Sequence, residues 1–274
     1  MPKVSETPWL RESKLILEKV SRSFLSPGGP LMALENIHLA VKEGEFLCMV
    51  GPSGCGKSTL LNIMAGLDQP SSGTIWVDGQ PMQAAQQGHI LIFQELGLFP
   101  WLSVRENVEF GLRMKGMPEQ ERRERAREYI RLVHLSRFEN SYIHELSGGM
   151  KQRVALARAL ALKPAVLLMD EPFAALDAQT RDRLHDELER LWQETNSTIV
   201  FVTHNMREAV RLGDRVILLT FRPGRIKSAF FIELPRPRHL EDPEVALVSR
   251  NLLAQLKEEI DRSVKEEFHD EESG

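Results

Sequence analysis

At 274 residues the chain is long enough for one large domain or two modest ones, with a core that needs no covalent staples. Its 42% hydrophobic and 27% charged content is ordinary for a globular protein, and a net charge of −4 argues against a nucleic-acid binder held by bulk positive charge. Two cysteines, Cys48 and Cys55, are too few and too close for a disulfide framework and fit a reducing compartment.

The opening segment, MPKVSETPWLRESKL, lacks the apolar core of a signal peptide. No apolar stretch reaches the roughly 18 residues that a membrane span requires. The expectation is a soluble, cytoplasmic chain that reaches a membrane only through a partner. Four short apolar runs follow. Phe46–Val50 ends at Gly51, Ile90–Phe93 at Gln94, Val166–Met169 at Asp170, and Ile199–Thr203 at His204. Such runs read as strands buried on both faces of a parallel sheet, whose carboxyl ends collect ligands. Each run delivers a glycine, a polar or an ionisable residue to that edge, which argues for one site.

Between the runs lie amphipathic helices. In RDRLHDELERLW the residues Leu184, Leu188 and Leu191 recur at helical spacing. The stretch from 95 to 160 has few strand signals and reads as a helical insert. Its charged run EQERRERAREYIRL is expected to be a solvated helix face. Beyond Gly224 the pattern weakens. LPRPR (234–238) cannot be a helix interior, a helix-like segment VALVSRNLLAQLKEEIDRSVKEEF follows, and HDEESG reads as a frayed, solubilising tail.

Gly51-Pro52-Ser53-Gly54-Cys55-Gly56-Lys57-Ser58 fits G-x-x-x-x-G-K-[ST] between an apolar strand and the helical segment STLLNIMAGL. Glycines let successive backbone N–H groups of the stretch Gly51 to Thr59 converge on a phosphate at a helix N-terminus. Lys57 adds a positive charge for the β- and γ-phosphates, and the Ser58 hydroxyl can ligate Mg²⁺. Asp170 is placed to hold the metal's water shell, and Glu171 to polarise an attacking water. Gln94 can touch Mg²⁺ or that water and report loss of the γ-phosphate, while His204 can donate to the γ-phosphate. A phosphate loop alone leaves kinases, GTPases, helicases and transport ATPases open. Ser147-Gly148-Gly149-Met150 opens a second helix with a good N-cap and exposed N–H groups, which makes a second anion site far from the first along the chain.

Leu146–Arg153, LSGGMKQR, resembles the signature motif of ABC-type ATPases, and the resemblance spans roughly residues 15–235. In that family the positions of Phe24 and of Asp177, in AALD, correspond to the aromatic that stacks on adenine and to the loop that contacts the second subunit. The resemblance implies an α/β P-loop NTPase core with a mostly parallel sheet, an N-terminal antiparallel β portion and an α-helical signature subdomain. It places the ATPase domain at 14–239, with core 14–94 and 161–239, helical subdomain 95–160 and a C-terminal extension 240–274. It implies ATP and Mg²⁺ as ligands, Lys57, Gln94, Glu171 and His204 as catalytic residues, and Ser58, Gln94 and Asp170 around the metal. Two subunits, identical or closely homologous, would pack head to tail, so that Ser147–Met150 meets the nucleotide of the other copy.

No long coiled-coil insertion and no second cassette are present, which leaves a transporter subunit rather than a repair or ribosome-associated ATPase. Leu98, Phe99, Pro100 and Trp101 suit a groove for a short helix of a membrane permease. QELGLFPWLSVRENV, DEPFAALDAQTRDRL, THNMREAVRLGDRVILL, RPGRI and LPRPR look like the nitrate, sulfonate, taurine and bicarbonate uptake branch. That branch implies permease subunits and an extracytoplasmic solute-binding protein as partners, no nucleic acid, and a peripheral place on the cytoplasmic face of the inner membrane. Other importer cargoes, such as a pyrimidine or thiamin precursor, and a membrane-remodelling ATPase are the alternatives. Asn205 stands where Asp is frequent and Phe24 where Tyr is common.

Overall fold

The computed structural model describes residues 13–26, 29–82 and 88–272. Most of the opening segment MPKVSETPWLRESKL, read as lacking a signal-peptide core, and the last two residues of the HDEESG tail lie outside the described residues. In chain order, β1 (Ser13–Ser26), β2 (Gly29–Lys42) and β3 (Phe46–Val50) precede α1 (Lys57–Met64). Strands β4 (Ser72–Val77), β5 (Gln80–Pro81) and β6 (His89–Ile92) lead to α2 (Val104–Met114), α3 (Glu119–Leu132) and α4 (Gly148–Leu160). Then come β7 (Val166–Asp170), α5 (Ala178–Thr195), β8 (Thr198–Val202), α6 (Met206–Leu212), β9 (Arg215–Leu219), β10 (Ile226–Phe231) and α7 (Pro243–Glu272). The chain divides into two compact units, Met1–Gln86 with Thr198–Gly274, and Gln87–Ser197.

The first unit holds two sheets. The N-terminal one is antiparallel, in the order β2-β1-β4-β5, with Leu17 opposite Leu39 and Ile16 opposite Trp76. In the other, β3 runs parallel to both β8 and β9, and β10 closes the edge antiparallel to β9. Every residue of β3 and β8 is buried. Two covered faces favour apolar side chains, which is why Phe46–Val50 and Ile199–Val202 read as unbroken apolar runs; Thr198, at the start of β8, is buried with its hydroxyl accepting from Gly44 N (3.0 Å). Strands β9 and β10 lie beyond the four expected runs. IKSAFF alternates between half-buried and exposed positions along an edge, so it carries no continuous apolar signal.

Two arginines of LPRPR fasten the end of α6. Arg238 is buried and its guanidinium donates to the carbonyls of Val210 (2.8 Å), Gly213 (2.7 Å) and Ile232 (3.0 Å). Arg236 donates to Leu212 O (2.6 Å) and pairs with Asp214 (2.9 Å). These bonds satisfy helix-end carbonyls that α6 cannot pair internally. Helix α7 packs on α6 along a stripe of Val245, Ser249, Leu252 and Leu256, and it runs on to Glu272, so the tail expected to fray continues the helix that far.

In the second unit β6 runs parallel to β7, with Ile92 opposite Met169. β7 is buried over Val166–Met169, but three of the four residues of β6 are only half-buried, so this run is not the doubly covered strand its sequence suggested. Helices α2, α3 and α4 pack on one another. α2 begins with a capping box. Ser103 Oγ accepts from Glu106 N (3.3 Å), while Glu106 accepts from Ser103 N (2.8 Å), and that backbone N–H holds the Glu106 carboxyl below its usual range. α3 is largely solvated, as expected, with Ala126, Tyr129 and Ile130 as its buried stripe. On α5, Leu184, Leu188 and Leu191 are all buried, each a contribution of about 1.5–3 kcal/mol.

Candidate nucleotide site

Gly51–Gly56 forms the turn between β3 and α1, as the motif requires. Gly56, the N-cap of α1, lies at φ 97°, a left-handed conformation that a side chain would strain. A Cβ there would also stand 2.7 Å from Leu34 Cδ2. Having no side chain, Gly56 leaves the first N–H groups of α1 open to an anion. Lys57 is buried, and its ammonium donates to Gly51 O (2.9 Å) and Pro52 O (2.8 Å). An ammonium has three donors, so the lysine braces the loop while still able to serve a phosphate oxygen. Cys55 is buried at 3.9 Å from Lys57 Nζ, and burial pushes its thiol pKa up. Ser53, Gly54 and Ser58 are exposed, and Thr59 is half-buried.

β3 and β8 pair Met49 with Val202, so Gly51 and His204 each lie two residues past one register pair, at the same edge. Thr203 N donates to Met49 O (3.2 Å), which continues the ladder up to His204. His204 is exposed between two anchored neighbours. The Thr203 hydroxyl bonds to Glu208, and Asn205 caps α6 by accepting from Arg207 N (3.0 Å) and Glu208 N (3.4 Å). Asparagine caps a helix as well as aspartate does, so the departure from the usual Asp leaves this anchor intact. Phe24, near the end of β1, is 38% exposed, with the Arg22 guanidinium 4.6 Å from its ring centroid.

In the second unit, the pairing of Ile92 with Met169 sends Gln94 and Asp170–Glu171 out at one edge. Gln94 is exposed; Asp170 and Glu171 are half-buried. Glu171 has φ 43°, a conformation uncommon for a residue with a Cβ and one that clusters at functional sites. Ser147 caps α4 by accepting from Met150 N (3.3 Å). Ser147 and Gly148 are exposed there, while Gly149 and Met150 are half-buried. A Cβ on Gly149 would stand 2.7 Å from Thr180 Cγ2, so glycine lets the start of α4 close onto the start of α5. Asp177 caps α5 by accepting from Thr180 N (2.9 Å), and that bond holds its carboxyl below the usual range. The signature start and the Asp177 turn are thus brought together.

Three supporting residues escaped the sequence reading. Arg158, on α4, donates to Leu96 O (2.6 Å) and Gly97 O (2.7 Å), fastening the segment after Gln94 to the signature helix. Asn107 is fully buried; its carbonyl accepts from Phe99 N (2.9 Å) and its amide donates to Phe99 O, Leu102 O and Ser103 O. Around that scaffold Trp101 stands 70% exposed, its ring 5.6 Å from that of Phe99. Arg181 holds the turn before Asp177 through Phe173 O (3.3 Å) and Leu176 O (2.7 Å). The hydrophobic pattern carries no trace of these roles, because each lies in a polar side chain bonded to backbone groups.

Comparison with known proteins identifies the family. The family profile described as ABC transporter matches residues 34–174. A nitrate import ATP-binding protein of Synechocystis sp. is 49% identical over 221 residues, covering 81% of this chain and 83% of that protein. An aliphatic sulfonates import ATP-binding protein of Bacillus cereus is 41% identical over 241 residues, covering 88% and 95%. Among solved structures, a dimeric ATP-binding cassette in a post-hydrolysis state with ADP and Pi is 36% identical, at a TM-score of 0.71 over 81% of this chain and all of that one. With a phosphate loop, a capped signature helix and matches over most of its length, the chain belongs to the ABC transporter family, as one of its ATP-binding, ATP-hydrolysing subunits.

Proposed function

We propose that this subunit powers a membrane importer for a small anion of the nitrate or sulfonate class, and that Gly51–Thr59, Gln94, Asp170, Glu171 and His204 serve one ATP. The observation that carries the chemistry is the end of β7, where Glu171 is held at φ 43° immediately after Asp170. Backbone N–H groups of Gly54–Thr59 and the Lys57 ammonium bind the β- and γ-phosphates. Glu171 accepts a proton from the attacking water, His204 donates to the γ-phosphate, and Gln94 orients the water. The other face of Phe24 takes the adenine.

Ser58, Gln94 and Asp170 offer hard oxygen donors of the kind Mg²⁺ prefers. Among the described residues no group of three or more His, Cys, Asp or Glu could hold a metal ion. An ion bound chiefly through phosphate oxygens and water needs no such cage. Bound there, Mg²⁺ would neutralise charge on the β- and γ-phosphates.

The exposed, capped start of α4 is a second anion site in a chain that needs only one for its own nucleotide. Its use by a second copy, with the Asp177 turn beside it, accounts for both, and the dimeric assembly of the similar cassette supports the reading. The exposed Trp101 on its Asn107-braced loop suits a short helix of a permease, and a solute-binding protein would choose the cargo. No helix among the described residues is long and apolar enough to cross a membrane, so such a partner would supply the spanning segments. The test is Glu171→Gln. ATP binding should persist and a dimer should accumulate with ATP, while hydrolysis falls at least about 100-fold. A variant that hydrolyses ATP normally, or stays monomeric with ATP bound, would refute the reading.

A further inference from the structure

The C-terminal helix reaches the phosphate loop through a single turn, and the contacts form a continuous chain within one unit. Glu259, on α7, is 6% exposed. One carboxylate oxygen accepts from the backbone N–H of Phe221 (3.0 Å), and the other pairs with Lys227 Nζ (3.0 Å). Arg262 adds a longer ion pair at 3.9 Å. Burial works to raise the carboxyl's pKa, but the Lys227 and Phe221 bonds outweigh it and hold the group below its usual range. The carboxylate is thus a charged anchor for the turn between β9 and β10.

That turn is stiff. Thr220 N donates to Arg225 O (2.9 Å), Thr220 Oγ1 donates to Pro223 O (2.9 Å), and Arg225 N donates back to Thr220 Oγ1 (2.9 Å). Its far side lies on the phosphate loop. A Cβ on Gly224 would stand 2.1 Å from Cys55 O, so the turn's backbone packs directly on the loop's. Gly224 N donates to Ala33 O (2.9 Å) and Glu35 N to Gly224 O (3.0 Å), fixing the turn to β2. The Arg222 guanidinium reaches over to Gly54 O at 3.4 Å. Loop N–H groups serve an anion only if the loop keeps its curvature, and Gly54 and Cys55 lie at its middle. A brace on their carbonyls therefore bears on how well the amides converge.

We propose that Glu259 is a positioning residue for nucleotide binding, acting through the Thr220–Arg225 turn and Arg222 on the outer face of the phosphate loop. Glu259 then ties the C-terminal helix to the nucleotide-binding machinery, while the rest of that helix serves only stability. The proposal rests on the ATPase reading above and adds to it a residue that no motif marks.

The experiment uses the full chain and measures ATP affinity and steady-state hydrolysis for the wild type, Glu259→Gln, Arg222→Ala and Leu256→Ala. Glu259→Gln keeps an acceptor but loses the charge-assisted bonds, so KM and Kd for ATP should rise roughly three- to tenfold while kcat stays within about twofold. Arg222 is exposed, so Arg222→Ala should fold and raise KM in the same way; the double variant should show less than the product of the two effects. Leu256→Ala removes a buried side chain one turn earlier on α7 and should lower Tm without moving the ATP affinity. Unchanged KM in both Glu259→Gln and Arg222→Ala, beside a wild type that binds and hydrolyses ATP, overturns this proposal alone. So does a Leu256→Ala variant that raises KM as much, because general loosening would then explain the effect. A wild type that neither binds nor hydrolyses ATP overturns the ATPase reading instead.

Discussion

Replacing Arg158 by lysine keeps the charge and removes the fork. The guanidinium donates from two nitrogens at once, to Leu96 O at 2.6 Å and Gly97 O at 2.7 Å, and it lies 5.8 Å from the centre of the Phe99 ring. A lysine ammonium is a point charge on a flexible stem and cannot reproduce that two-pronged contact. Bonds from a charged donor contribute about 1.5–3 kcal/mol each. Half-exposure lets water replace part of this, so losing one bond and loosening the other should cost about 1–2 kcal/mol, and Arg158→Ala about twice that. The loss falls on the segment directly after Gln94. Hydrogen exchange over residues 95–102 should therefore accelerate roughly five- to thirtyfold in Arg158→Lys, with exchange in α3 unchanged. If Gln94 orients the attacking water, kcat should fall while ATP affinity holds. Wild-type protection of 95–102 in Arg158→Ala would refute the argument, because the two bonds would then hold nothing.

Two further outcomes follow from helix caps. Asn205→Ala should cost about 1 kcal/mol in urea denaturation by leaving Arg207 N and Glu208 N uncapped, whereas Asn205→Asp should stay within about 0.5 kcal/mol of wild type; equal losses would show that the cap does not matter. The Thr180 N–H holds the folded-state pKa of Asp177 below its unfolded value. Its ionised form therefore stabilises α5 at pH above about 4, and that contribution is lost as pH falls through the lowered folded pKa. The stability difference between wild type and Asp177→Asn should accordingly shrink as pH falls below about 4. A difference that stays constant over that range would contradict the assignment.

What could be read from the sequence, and what could not, divides along a physical line. β3, β7 and β8 are covered on both faces, so their burial is written into apolar runs, and the residues at or just past their ends carry the candidate chemistry. Ser147 and the glycine after the strand are local signals as well, because a cap and a tight turn are satisfied within a few residues. The edge strand β10 has no such run, since one of its faces is open. The most obscure residues are those whose partners lie far along the chain. Arg158 bonds to carbonyls 61 and 62 residues away, and Glu259 to an amide 38 residues away. A carbonyl has no side-chain identity, so a sequence cannot announce which one an arginine will meet.

The same distinction bears on how the candidate site works. Residues that would touch ATP lie at strand ends and helix starts, where each unit's own backbone sets their position. Residues that would let those positions shift are long polar side chains from α4 and α7, with Arg158 donating to loop carbonyls and Glu259 accepting from a turn amide. Arg158 connects the signature helix to the segment after Gln94, and Glu259 connects the C-terminal helix to the phosphate loop. Loops held this way can shift between arrangements at a cost of a few hydrogen bonds, whereas the buried strands cannot shift without breaking close-packed contacts. Gln94 and the phosphate loop, each within its own unit, are therefore the candidate residues most free to shift. Asp170, fixed at the end of a strand buried over Val166–Met169, is the part best placed to stay still while they do.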